Sequence, residues 1–159
     1  VTDENRSRIL VADSDELRLE AMSVRWDVFI VEQAVPMVLE IDARDMRLDV
    51  LHLAALDEDG RALGTVRVIP DGDHHFHLGR LAVKREARGS GLGAALVAAV
   101  HDEVACRTPR GAQAVVTLDA QVQAQGFYAA QGYEETTGEV FLDAGIEHRE
   151  MRRILDGRA

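Results

Sequence analysis

The stretch RGSGLGAALVAAV, Arg88 to Val100, sets Gly89, Gly91 and Gly93 at alternate positions ahead of an apolar run that needs none of them. Glycine removes the Cβ that would hold a ligand away from the backbone. If a helix starts here, its first N–H groups lack intrahelical partners and its dipole favours an anion. The pattern therefore reads as a phosphate cradle, with Arg88 at its edge to add a charge-assisted hydrogen bond. A plain strand-to-helix turn is the alternative, but it does not need three glycines in five positions. A nucleotide-triphosphatase loop would require Gly-Lys-Ser/Thr, and here Ala94 and Ala95 follow Gly93. A dinucleotide fingerprint can be written over Gly89, Gly91 and Ala94, yet KREAR separates it from the preceding strand and the unit does not open a βαβ half.

Other side chains could move protons or hold charge. His74, His75 and His77 lie beside a turn, and strand alternation puts His77 on the face of Gly79, Leu81 and Val83. Histidine titrates in a range useful for catalysis, although turn histidines are commonly just solvated. No acidic or cysteine ligand completes a metal site near them. Glu32, followed by Gln33, ends a helical pattern where the dipole disfavours a carboxylate, a mismatch that points to function. Glu40, Asp42 and Asp45 could form an acidic rim, though such a charge run is ordinarily a solvated face. Cys106 has no partner cysteine and is expected to be a small buried hydrophobe.

The chain of 159 residues, 47% hydrophobic, suits one domain, 1–159, with a sizeable core. It has no apolar stretch of membrane-spanning length and no secretory-signal order at its start, so a cytoplasmic protein without membrane attachment is expected. A net charge of −10 opposes nucleic-acid binding and favours a cationic small molecule.

These residues must be positioned by a small set of elements. RILVA, from Arg8, reads as a strand, and Ser14 as the N-cap of a helix carrying the stripe Leu17, Ala21, Val24 and Val28 to about Gln33. Pro36 restricts Val35 and ends it. Glu40 to Asp49 is too charged for core and reads as a short helix or loop. Three meander strands follow, cut by DEDG at 57–60 and DGD at 71–73. A third helix is expected over about Gly91 to Cys106, a strand over Ala114 to Leu118, a fourth helix over about Val122 to Gln131, and two more strands to Met151. The order describes an α/β fold with a mixed sheet.

R-x-x-G-x-G at Arg88, Gly91 and Gly93, preceded by LGRLAV, resembles the acetyl-coenzyme A motif of the GNAT N-acetyltransferase superfamily. VFIVEQAVP at 28–36, Glu40-x-Asp42-x-x-Asp45, His52, Ala120-Gln121, FYAAQGY at 127–133 and GIEHREM at 145–151 appear in the order typical of its ElaA-like branch. The resemblance runs from about Arg25 to Met151; MVL at 37–39 departs from it, where acidic residues or a tyrosine are common.

The resemblance implies the GNAT fold, a mixed and mostly antiparallel sheet flanked by helices, with acetyl-coenzyme A as co-substrate and no metal. Leu81, Ala82 and Val83 would meet the pantetheine arm, and Arg88, Gly89, Ser90, Gly91, Leu92, Gly93 and Ala94 would wrap the pyrophosphate. Tyr128 matches the general acid of many such enzymes, with Phe127 as the packing aromatic. His77, six residues before Val83, aligns with the glutamate base of the histone-acetylating members, and Glu32 and Gln33 face the acceptor side. His148 is read as a structural hydrogen-bonding residue. An N-acetyltransferase acting by direct attack of a small-molecule or peptide amine in a ternary complex is the expectation. An acyl-coenzyme A sensor without turnover, or a dinucleotide-binding protein, are the competing classes, and a homodimer stays open. Because helix one is far in sequence from the glycine loop, Glu32→Gln is expected to affect the acceptor alone.

Overall fold

The computed structural model describes residues 8–159; residues 1–7, on which the secretory-signal expectation draws, lie outside the described residues. Ser14 caps the first helix as expected, accepting a hydrogen bond from the Leu17 amide at 3.3 Å, with Asp15 and Glu16 in the first turn. Helix α1 (Asp15–Arg25) buries Ala21 and Val24. The chain then remains helical, but Trp26–Glu32 is wound as a π-helix, closed by the Gln33 amide on the Val28 carbonyl five residues back. Ala34 takes φ +56° and ends the run before Pro36.

After β1 (Arg8–Val11) and α1 come α2 (Met37–Glu40), β2 (Leu51–Leu56), β3 (Ala62–Pro70), β4 (His75–Val83), α3 (Leu92–Arg107) and β5 (Gln113–Gln121). They are followed by α4 (Gln125–Ala130), β6 (Glu134–Glu135), β7 (Phe141–Asp143) and β8 (Ile146–Asp156). The three meander strands lie where the turn compositions predict. Helix four is shorter than expected, because Val122–Ala124 forms a 3-10 turn before it. Three C-terminal strands replace the two expected, since Gly145 turns the chain from β7 directly into the long β8.

Strands follow the order β1-β2-β3-β4-β5-β8-β6, with β7 also on β8. Strand β4 pairs parallel with β5 from His75↔Val115 to Leu78↔Leu118, while β1–β2 and the pairings of β8 are antiparallel. The β4–β5 register ends just before Arg80, whose φ of +54° kinks β4.

The chain divides into two compact units. One runs to Arg67 and includes Arg80–Ala99; the other comprises Val68–Gly79 and Val100–Ala159. In the first, Ala21, Val24, Val28, Ala54, Leu56, Ala62 and Ala82 form a core against which Leu10, Leu17 and Phe29 pack. In the second, Val100, Val104, Ala114, Val116, Leu118 and Met151 are buried.

Two expectations from composition are corrected. Cys106 is exposed. Buried Val97, Val100, Val104 and Ala105 define the inward stripe of α3, and position 106 falls off it. The charged segment after residue 40 is not a solvated face throughout: Glu40 is buried, and Asp45 reaches inward to arginines.

Candidate functional site

In the first unit, β4 ends at Val83 and a 3-10 turn, Arg85–Ala87, leads to the glycine loop. Gly89 and Gly91 take φ of +78° and +82°, values that side-chain-bearing residues rarely adopt. A Cβ added to either would meet nothing within 4 Å, so the loop surface is open where a ligand could approach. The Ala95 amide donates to the Gly91 carbonyl at 3.0 Å, which makes Gly91 the N-cap of α3. Leu92, Gly93 and Ala94 thus supply the first helical amides, those without intrahelical acceptors. Leu92 is buried and anchors the helix start, while the Ser90 hydroxyl donates to the Ala87 carbonyl at 2.6 Å. This arrangement can hold an anion on backbone N–H groups.

The Arg88 guanidinium donates twice to the Glu32 carboxylate, at 2.5 and 2.7 Å, and its Nε donates to the Val83 carbonyl at 3.0 Å. Glu32 is therefore not remote from the loop, as the distance in sequence suggested; the π-helix carries it onto Arg88. The hydrogen bond from Arg88 holds the Glu32 carboxyl at about 2, below its ordinary range. Gln33, beside it, closes the π-helix with its amide. Leu81 and Val83 are half-buried and Ala82 is buried. Lys84, the single lysine of the sequence, follows, its ammonium 3.5 Å from Asp27.

The same unit holds an ion network that sequence reasoning missed. Arg25, 1% exposed, donates to Glu40 at 2.6 Å and to Asp45 at 2.7 Å. Arg67 donates to Asp45 at 2.8 Å, and Arg80 approaches Glu40 at 2.9 Å while also donating to the Leu39 carbonyl. Burial pushes the Glu40 carboxyl up, against Arg25 and Arg80, which keep it paired. For Asp45 burial acts the same way, but hydrogen bonds from Arg25 and Arg67 bring it down to about 2. The network braces α1, α2 and the kink of β4 against one another. Met22, Ser23, Trp26, Ile30 and Ile41 line a cavity of roughly 220 Å³ beside it.

In the second unit, Tyr128 of α4 is buried, edge-on to Phe127 at 5.0 Å and to Tyr133 at 6.0 Å between ring centroids. Phe127 is the more exposed of the pair, so the packing aromatic is Tyr128 rather than Phe127. Burial raises the phenol's pKa, so it keeps its proton at neutral pH. Tyr133 belongs to a second cluster: His101 Nε2 lies 2.9 Å from its hydroxyl, and His101 Nδ1 lies 3.1 Å from Arg153. Arginine only donates, so Nδ1 accepts and Nε2–H donates to Tyr133. Burial and Arg153 hold the His101 pKa at about 4, so the ring is neutral.

His77 lies 3.3 Å from the Thr117 hydroxyl through Nδ1 and 3.9 Å from Asp119 through Nε2. A Cβ at Gly79 would sit 3.8 Å from the His77 ring, which shows that 77 and 79 share a face. His75 contacts the Asp73 carbonyl, and His148 contacts the Ile146 carbonyl at 2.7 Å while stacking on Phe141. His52 is buried, and burial lowers its pKa. Asp119 was missed in the sequence; only the register of β4 on β5 brings it to His77.

Residues 19–155 match the family described as Acetyltransferase (GNAT) domain. The chain is 35% identical to the UPF0039 protein Rv2851c of Mycobacterium tuberculosis, over 95% of this chain and 94% of that one. Among solved structures, Escherichia coli ElaA superposes with a TM-score of 0.78 at 27% identity, covering 92% of this chain and 97% of that one. An acyl-CoA N-acyltransferase from Pseudomonas aeruginosa superposes with a TM-score of 0.77 at 31% identity, covering 92% and 98%.

Proposed function

Because this chain belongs to the GNAT acetyltransferase family, we propose that it transfers acetyl from acetyl-coenzyme A to an amine by direct attack, as a member of the ElaA-like branch. One observation carries the reading: two left-handed glycines, with open space where a Cβ would stand, lead into the N-terminus of α3. That cradle suits a pyrophosphate, which the amides of Leu92, Gly93 and Ala94 would receive. Coenzyme A carries one, and the chain's likeness to the Pseudomonas acyl-CoA N-acyltransferase supports the assignment.

The thioester supplies an activated acetyl carbonyl and a thiolate leaving group. The chain supplies the rest. An alkylamine is protonated at neutral pH and must lose a proton before it attacks, and His77 is the group assigned to take it. Nitrogen then bonds to the carbonyl carbon, the C–S bond breaks, and sulfur takes up a proton. Backbone N–H groups of β4 around Leu81 donate to the carbonyl oxygen as charge builds there. Tyr128 stabilises the departing sulfur. Burial raises the phenol's pKa, so Tyr128 holds its proton at neutral pH and is the general acid of this reading, giving that proton to sulfur while the second N–H proton replaces it. Glu32 and Gln33 lie on the acceptor side of the reading, Glu32 as part of an ion pair with Arg88.

Calorimetry with acetyl-coenzyme A tests the cradle. Wild type binds, and Gly91→Glu abolishes binding while thermal unfolding shows it folded, its left-handed φ costing about 1–2 kcal/mol. Equal binding by the variant removes the cradle. Binding by wild type without thiol release across a panel of amines makes the protein an acyl-coenzyme A sensor.

A further inference from the structure

Three rows of side chains cross the outer face of the second unit's strands. His77 of β4 stands opposite Thr117 of β5, which stands opposite Arg152 of β8. One step along, Asp119 stands opposite Glu150; the next row pairs Gln121 with His148, which is joined by Phe141 of β7. Directly opposed residues share a face, so His77 and Asp119 are diagonal neighbours on one surface. Their side chains are 36% and 34% exposed, accessible to a solute and still partly withdrawn from water.

The imidazole has a distinct neighbour at each nitrogen. A carboxylate can only accept, so ionised Asp119 electrostatically favours the neutral tautomer with its hydrogen on Nε2. In that tautomer Nδ1 is the basic nitrogen, and the Thr117 hydroxyl, 3.3 Å away, is within reach to donate to it. At 3.9 Å the Asp119 contact is electrostatic rather than a direct hydrogen bond. A Cβ at Gly79 would stand in ordinary contact with the same edge, 4.0 Å from Nε2, which places residue 79 beside it.

We infer that Asp119 is a positioning residue for His77, fixing its tautomer and holding the positive charge that the ring acquires when a proton from the acceptor amine reaches it through Thr117. In that step the amine nitrogen gives a proton to Thr117 Oγ, whose own hydrogen passes to His77 Nδ1. The ring becomes an imidazolium beside a carboxylate, and the proton is later lost to water. No atom is left unbalanced, and the order carboxylate, imidazole, hydroxyl follows the logic by which a buried acid orients a catalytic histidine. The charged neighbours are mixed. Burial raises the Asp119 pKa, His77 lowers it, Glu150 raises it, His148 lowers it and Asp143 raises it. Arg152 of β8, Glu134 of β6 opposite it, Asp156 of β8 and His75 of β4 are further charged or titratable groups on this face. The inference rests on the acetyltransfer reading for the reaction but not for the pairing.

Two measurements on the full chain test it. Histidine ring resonances followed by NMR across pH give the His77 midpoint without turnover; Asp119→Asn lowers it by about 0.5–1 pH unit. The pH profile of kcat/KM for thiol release moves its acid limb down by the same amount, and Thr117→Val lowers kcat about tenfold or more with KM little changed. An unchanged His77 midpoint in Asp119→Asn, or an acid limb that persists in His77→Gln, overturns the inference even if amines are acetylated. A shifted midpoint in Asp119→Asn together with a wild type that acetylates no amine overturns the acetyltransfer reading instead, and the base role with it.

Discussion

Glu32 and Arg88 are separated by 56 positions and joined by two short hydrogen bonds, so neither side chain acts alone. The carboxylate neutralises the Arg88 guanidinium at the edge of the proposed cradle and also lies 3.5 Å from Arg85. Glu32→Gln releases that positive charge while Val83 still holds Arg88 through its carbonyl. Acetyl-coenzyme A should therefore bind about two- to fivefold more tightly in the variant, the gain shrinking as salt rises, in keeping with the small worth of exposed ion pairs. Calorimetry at two ionic strengths checks this. Weaker cofactor binding would mean that Glu32 orients Arg88 for the phosphate rather than competing for it. The turn into α3 was legible in sequence because alternate glycines before an apolar run mark a left-handed backbone, whereas Tyr128 stood out only through the resemblance and its packing role was given to Phe127. The Glu32–Arg88 pair and Asp119 were not legible, because the contacts that define them depend on a π-helical turn and on a strand register.

Helix α3 shows how far periodicity reaches at the scale of an element. Its extent was legible to within a residue or two, yet its composition is apolar enough that the buried face could not be chosen from the sequence, and Cys106 was placed on the wrong side. The structure separates the two faces. Leu96→Ala, at a fully buried position, should cost about 2–5 kcal/mol, whereas Cys106→Ser should stay within about 0.5 kcal/mol of wild type. Urea unfolding midpoints of the two variants decide it, and a large loss in Cys106→Ser would contradict the exposed face. The same limit explains the segment after residue 40. Charge counted along the chain suggested a solvated face, but Glu40 and Asp45 find Arg25 across 15 and 20 positions.

For the whole molecule that network contributes to stability toward acid. Asp45 is depressed to about 2 in the folded chain, against the 3.8 of an ordinary aspartate. A depressed carboxyl stabilises the fold above its unfolded value, and that contribution is lost as pH falls through the folded one. Asp45 alone then gives up about 2 kcal/mol between roughly pH 4 and pH 2. Asp42, depressed by its arginine partners against the effect of burial, loses stability in the same direction. Glu40, raised by burial, works oppositely and softens the fall. Denaturant titrations at pH 5, 3 and 2 should show stability dropping mainly between the last two; a flat profile over that range would mean that the acid–arginine network adds nothing. One lysine among 18 basic residues has a practical consequence. Lys84 sits one residue beyond β4, so amine-directed coupling, whether to a sensor chip, a dye or a resin, has a single ε-amino address beside the proposed cofactor loop. Attachment there would obstruct the very ligand being assayed, whereas the exposed thiol of Cys106, near the far end of α3, offers a tether that leaves the loop clear.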